Sequence, residues 1–194
     1  MYDYIQGTVV ELTPTQVIVD NHGIGYRIQI SLQTYGQLQA QQQTRIYVHH
    51  IVKEDDEQLF GFADRDERDL FILLISVSGI GPNTARMMLS SLTSEELRNA
   101  ILGEDLNRIK SIKGIGLKTA QRLIIELKGK LVKGGGSTAR IPIPETNPSR
   151  AEALAALQML GFAKPNIERA LDKILTDSPQ CGLEDMIKKA LKLL

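Results

Sequence analysis

The sequence predicts an α+β protein built from several modules, and three observations predict it. Apolar and polar residues alternate through the first 63 residues. Helical spacing takes over at Asp64, and a stretch rich in Gly, Pro, Ser and Thr later interrupts the helical region. The expected division is a barrel over 1–63, a helical unit over 64–133, a flexible linker over 134–147 and a three-helix bundle over 148–194.

In the first module, "IQGTVVEL", "QVIVDN", "GYRIQISL", "TRIYVHHIV" and "EQLFGF" show alternation or β-branched enrichment and are separated by turn residues. Five short strands suit a small barrel, for which the five-stranded OB type is the commonest candidate. At Asp64 the pattern changes: Asp64 with Glu67 resembles a capping box ahead of "LFILLISV". Thr93 with Glu96 repeats that start signal before "LRNAIL" and a stopping Gly103. Four or five short helices are expected here. "GGGSTARIPIPETNP" has no periodicity and reads as a tether. Ser149 and Glu152 then give a third capping signal. Apolar stripes such as Leu154–Leu157–Leu160 and Met186–Ile187–Ala190 mark three amphipathic helices able to bury one another.

Composition bounds the function. Hydrophobic residues make up 42% and charged residues 24%, ordinary for a globular chain. "MYDYIQGTVVEL" alternates from the start, and "LFILLISV" is far short of the roughly 20 apolar residues a bilayer requires, so neither a leader nor a membrane span is expected. The single Cys181 cannot form an intrachain disulfide, which points to a cytoplasmic location. The formal net charge is zero, yet residues 1–63 hold three bases and seven acids, while residues 76–133 hold ten bases and five acids. One basic block in a balanced chain implies a local anionic partner.

"GIG" occurs three times. In "NHGIGYRIQI" it lies between strands and reads as a hairpin turn without a ligand. In "SVSGIGPNTARMML" and "SIKGIGLKTAQRLI", 35 residues apart, Ser, Gly, Ile, Gly, Thr and Ala recur in register between helical stretches. This is an internal duplication of helix, tight turn and helix. The glycines permit a tight turn and close approach of a ligand, and the next helix offers unpaired amides with partial positive charge, which suits a phosphate oxygen. Ile80 and Ile115 should anchor the turns, and Lys118 adds a charged donor. The bland reading is a pair of glycine-capped joints without a ligand. The duplication inside the basic block favours phosphate contact, with binding that depends on shape and salt and ignores base sequence.

"KEDDE" (Lys53 to Glu57) lies between two strands. It reads as a solvated hairpin tip or, alternatively, as part of a Mg²⁺-dependent nuclease site, although contiguous acids on one loop need further ligands. His22, His49 and His50 lack a second ligand at metal spacing, no phosphate-binding nucleotide loop is present, and no acid follows either hairpin. No catalytic residue, metal or cofactor is expected. Three readings stay open: a junction-recognition subunit, a structure-selective nuclease and a generic DNA tether.

The two hairpins are close to the helix-hairpin-helix motif of DNA-binding proteins. With "GTVVEL", "NHGIGYRI", "KEDDEQLFGF" and "ALQMLGF" in this order, essentially the whole chain resembles the RuvA family of bacterial Holliday-junction-binding subunits. The resemblance implies an OB barrel, a tandem helix-hairpin-helix unit and a tethered three-helix domain. It also implies a homotetramer, singly or as two face-to-face tetramers, on four-way junction DNA in recombination and repair. The partners implied are a hexameric RuvB-type ATPase and a RuvC-type resolvase. Matched positions give phosphate contacts at Gly79, Gly81, Asn83, Thr84, Gly114, Gly116, Lys118 and Thr119, and an acidic pin at Glu54 and Asp55. The family's first hairpin usually carries a lysine where this chain has Asn83, and Arg86 is a candidate to compensate. Leu160, Phe162 and Ile167 are expected on the motor-binding surface, with Phe162 equally readable as a plug of the bundle core.

Overall fold

The computed structural model describes residues 2–133, 148–178 and 181–194. It divides into two compact units, Met1–Ala139 and Arg140–Leu194. The linker expected over 134–147 lies outside the described residues.

Strands β1 (Tyr4–Thr13), β2 (Gln16–Asn21), β3 (Ile24–Ile30), β4 (Gln43–Val52) and β5 (Glu57–Phe62) close into a barrel in the order β1-β2-β3-β5-β4. Its interior is Ile5, Val9, Val17, Val19, Ile28, Ile30, Ile46 and Val48. All are β-branched and sit at alternate positions, as a pleated surface with one buried face requires. β1 pairs with β4 near its start and with β2 beyond, and a register shift between Val9 and Glu11 bends it from one partner to the other. Closure comes from a short parallel pairing, Gln29 with Phe60 and Ile30 with Gly61. A Cβ at Gly61 would lie 2.4 Å from Ile28 Cγ2 and 2.6 Å from Ile46 Cγ2, so closure demands glycine there.

The expected strand "GYRIQISL" stops at Ile30, because Ser31 accepts the Thr34 N–H and caps a short helix, α1 (Leu32–Gln37). At six residues, α1 is too short to display a helical period in the sequence. The hairpin turn between β2 and β3 is made by His22 (φ 51°) and Gly23 (φ 89°).

Five helices follow: α2 (Arg65–Ile75), α3 (Pro82–Ser91), α4 (Ser94–Leu102), α5 (Leu106–Lys110) and α6 (Leu117–Lys133). They share a core with the barrel through β5. Gly61 faces the barrel interior, so Phe60 and Phe62 face outward and join Leu70, Phe71 and Leu74 of α2. Phe71 stacks on Phe60 at 5.2 Å, meets Phe62 at 4.9 Å and lies 5.8 Å from His49. Burial, followed by the charges of Arg68 and His50, holds His49 below the usual imidazole pKa.

Thr93 and Glu96 form the expected capping box. Asp64 and Glu67 make only half of one. Asp64 accepts the Glu67 N–H at 2.8 Å, but the Glu67 side chain turns inward and is 2% exposed. It accepts hydrogen bonds from Ser31 Oγ at 2.5 Å and Thr34 Oγ1 at 2.8 Å.

In the second unit, α7 (Pro148–Met159), α8 (Lys164–Asp177) and α9 (Leu183–Ala190) pack around Ala153, Leu157, Ile167, Leu171, Ile174 and Met186. Since α7 begins at Pro148, Ser149 is already helical and the expected Ser149–Glu152 capping box does not form. Gly161 (φ 95°) ends α7 in a Schellman turn. Phe162 N–H donates to Leu157 O at 3.3 Å, Gly161 N–H donates to Gln158 O at 3.0 Å, and the Phe162 ring is laid against the bundle. Cys181 is partly buried against the same core. No helix among the described residues is long and apolar enough to cross a membrane.

Burial raises the Glu67 carboxyl pKa and the nearby Asp64 charge adds to the rise, while the Ser31 and Thr34 hydroxyls oppose it. The folded state therefore holds this proton more tightly than the unfolded chain, and Glu67 costs stability as pH rises from about 4.3 through the folded value. Urea unfolding across pH should show Glu67→Gln gaining on the parent as pH rises through that window, with no difference in slope on its alkaline side.

Candidate nucleic-acid interface

Two hairpins repeat one another bond for bond. After α2, Ser76 Oγ donates to Leu73 O at 2.7 Å, Val77 N–H to Leu74 O at 3.1 Å and Ile80 N–H to Val77 O at 3.0 Å. After α5, and 35 residues later, Ser111 Oγ donates to Arg108 O at 2.7 Å, Ile112 N–H to Ile109 O at 3.2 Å and Ile115 N–H to Ile112 O at 3.1 Å. Gly79 and Gly114 take φ of 93° and 90°, a left-handed conformation that costs other residues. Ala85 N–H to Gly81 O and Ala120 N–H to Gly116 O, both 2.9 Å, start the following helices.

The division between inside and outside is equally regular. Val77, Ile80, Ile112 and Ile115 are buried and pin each turn in the core. Gly79, Gly81, Asn83, Gly114, Gly116 and Lys118 are exposed, with Thr84 and Thr119 half-buried at matching positions. Nothing lies within 4 Å of where a Cβ would stand on any of the four glycines. Packing therefore does not demand glycine at Gly81 or Gly116, and the space beside them is open to a ligand. Gly81 caps α3 with no side-chain hydrogen bond and Pro82 follows, so the first-turn amides of Asn83 and Thr84 have no acceptor among the described residues. An anion is the natural partner of such amides.

Charge differs between the copies. The second hairpin carries exposed Lys113 and Lys118, and the first has Ser78 and Asn83 at those positions. Arg86, the candidate to compensate, donates to Thr15 O at 3.1 Å, tying α3 to the β1–β2 turn. The cation at the first hairpin comes from α6 instead. Arg122 donates to Ser78 O at 3.2 Å, and Lys130 Nζ lies 3.0 Å from Ser76 Oγ. Arg122 is a cation beside the first turn that a reading of the turns overlooks. Its sequence signal is the four-residue step from Lys118, one turn along the same helical face.

The acids occupy the β4–β5 hairpin. Val52 pairs with Glu57, and Lys53 N–H closes the tip on Asp56 O at 2.8 Å. Asp56 accepts a hydrogen bond from Gln58, and Glu57 Oε1 lies 2.6 Å from His50 Nε2, out of line for a hydrogen bond. Glu54 and Asp55 are exposed at the apex, with no hydrogen-bond or ion-pair partner among the described residues. Among those residues no group of three or more His, Cys, Asp or Glu side chains could hold a metal ion.

In the C-terminal bundle, Leu160 is 60% exposed and its neighbour Met159, absent from the sequence reading, is 89% exposed. Phe162 is partly buried, and Ile167 is wholly buried in the bundle core, so it offers no surface to a partner.

The chain matches three family models: the RuvA N terminal domain over residues 1–61, the SAM-like helix-hairpin-helix tandem over 71–130, and the RuvA C-terminal domain over 148–194. It is 46% identical over 201 residues to a Holliday junction branch migration complex subunit RuvA of Bacteroides fragilis, covering all of both chains. It is 48% identical over 198 residues to the protein so named in Parabacteroides distasonis, again over the whole of both. With the one in Flavobacterium psychrophilum it shares 46% over 192 residues, 99% of each chain.

Alanine separates the two kinds of glycine. Gly79→Ala and Gly114→Ala should lower unfolding free energy by about 1–2 kcal/mol through the forced positive φ. Gly81→Ala, whose backbone is extended, should cost less than about 1 kcal/mol, as for an uncapped helix start. Urea midpoints at constant m-value test the difference.

Proposed function

The chain belongs to the RuvA family, and on that premise we propose that it binds four-way DNA junctions by shape and serves as the non-catalytic subunit of a branch-migration complex. The observation that carries this reading is the paired hairpin: two copies of one backbone turn, each with open glycines and unpaired amides at a helix start. Backbone amides reach phosphate oxygens and read no base edges, so affinity follows backbone geometry and salt. Gly79, Gly81, Asn83, Thr84, Gly114, Gly116, Lys118 and Thr119 would make these contacts, with Arg122 supplying the charge that Asn83 lacks.

Glu54 and Asp55 are the repulsive counterpart. In a tetramer on the junction, four such tips would converge at the crossover and push phosphates apart. At 4 Å each like-charge pair costs about 1 kcal/mol in water and several times more at lower dielectric. Attraction on the hairpins with repulsion at the centre lets the strands slide. The C-terminal bundle, a separate unit, would recruit a RuvB-type ATPase through Leu160 and Met159, and a RuvC-type resolvase would share the assembly. Cys181 as the sole cysteine suits work in the cytoplasm.

A gel-shift comparison of four-way junction and linear duplex, with and without Mg²⁺, tests the reading. Preference for the junction with no cleavage is expected; equal affinity, or cleavage by the pure protein, would overturn it. Lys118→Ala and Arg122→Ala should each weaken binding to any sequence and reduce the slope of log K against log salt by about 0.9. Glu54→Gln with Asp55→Asn should raise junction affinity and slow branch migration. A chain ending at residue 147 should still bind the junction but fail to stimulate the ATPase.

A further inference from the structure

Both helices that flank the first hairpin are tied to one shared corner of the barrel, the turn from β3 into α1, besides the separate ties of Arg86 to Thr15 and Arg68 to Asp3. On the α2 side, Glu67 accepts from Ser31 Oγ at 2.5 Å and from Thr34 Oγ1 at 2.8 Å. The hydrogen-bond directions follow from the donors. Thr34 N–H donates to Ser31 Oγ at 3.0 Å and Ala63 N–H donates to Thr34 Oγ1 at 3.0 Å. Each hydroxyl therefore accepts from an amide and passes its own proton toward the carboxylate. The relay joins the exit of β3, the exit of β5 and the first turn of α2. On the α3 side, Leu32 N–H donates to Ser90 Oγ at 3.1 Å, and Ser90 Oγ donates to Arg86 O at 2.9 Å. The second hairpin has no such link: α5 and α6 pack against α4 and carry no hydrogen bond to the barrel among the described residues.

Stability alone does not account for a carboxylate here. A buried charge loses its hydration, and an apolar side chain of similar volume is often neutral or stabilising in its place. What the carboxylate adds is direction, because its two acceptor oxygens fix α2 in rotation and in translation against two hydroxyls that are themselves fixed. We propose that Glu67, with Ser31, Thr34 and Ser90, is a positioning residue that sets the first hairpin in place relative to the acidic tip of the same barrel. A four-way junction meets hairpin and tip together, whereas a duplex on one hairpin does not. The lock therefore governs discrimination between the two, and this consequence rests on the function proposed above.

The test uses the full chain and the variants Glu67→Met, Glu67→Gln and Ser90→Ala. Ile80 and Ile115 N–H make the same turn bond in the two hairpins, so each controls for the other in hydrogen exchange. Glu67→Met should fold, speed exchange at Ile80 and leave Ile115 unchanged. Its preference for junction over duplex should fall by about tenfold as simultaneous engagement is lost, with duplex affinity kept. Glu67→Gln, which retains one acceptor and the volume, should recover most of both effects. Ser90→Ala should loosen Ile80 in the same direction. Equal rates at both amides in every variant, or a parallel rise at both, would overturn the lock. An exchange difference without any change in junction preference would overturn its role in discrimination. A parent protein that binds junction and duplex alike would bring down the function reading while leaving the exchange result to judge the lock.

Discussion

A strand with two buried faces holds the larger unit together. β5 gives Gly61 to the barrel and Phe60 and Phe62 to the helices, so α2 is fastened where the barrel closes. Full burial of a Phe side chain is worth about 1.5–3 kcal/mol, and three meet here. The ion pairs around the same joint, including Arg68 with Asp3 and Arg98 with Asp66, are half-exposed and contribute at most about 1 kcal/mol each. Aromatic packing supplies the strength of the joint, while polar contacts such as the Glu67 relay supply its orientation. The first hairpin is referred to the barrel through this joint on its α2 side and through Arg86 and Ser90 on its α3 side.

The two hairpins separate what duplication preserves from what it releases. Their buried residues, Val77 and Ile80 in one and Ile112 and Ile115 in the other, fix the turn and hold the glycine φ values within a few degrees. Exposed positions have diverged: Ser78 against Lys113, Asn83 against Lys118 and Met87 against Arg122. Backbone amides need only the shape, so the proposed phosphate sites survive this divergence. Charge is then redistributed across the pair, with α6 lending Arg122 to the first hairpin.

The acidic hairpin shows the same economy of position. Four consecutive carboxylates carry the same formal charge in the sequence, but Asp56 and Glu57 fold back on Gln58 and His50. All four are exposed, and Glu54 and Asp55 are the two without a partner among the described residues. A tight closing bond from Lys53 to Asp56 holds the apex in place. This suits a fixed repulsive point better than a metal site, which requires ligands arriving from several directions.

Sequence by itself determined the modules, the strands of the barrel, the duplication and the identity of the paired turns. Each rests on a short-range pattern, period 2 or 3.6 or a repeated Gly-Ile-Gly, that survives without knowledge of neighbours. It misjudged the local signals that distant residues override. Glu67 looks like the second half of a helix cap, yet Ser31 and Thr34, more than thirty residues away, draw its side chain inward. Arg86 looks like a substitute cation, yet it turns to Thr15, and Ile167 looks like a docking residue, yet it lies inside the bundle. Tertiary structure alone decided that Arg122 lies against the first hairpin and that Glu54 and Asp55, unlike Asp56 and Glu57, have no partner among the described residues. Spacing fixes which face of its own element a long side chain leaves from. Which partner it then meets depends on elements brought together only by folding.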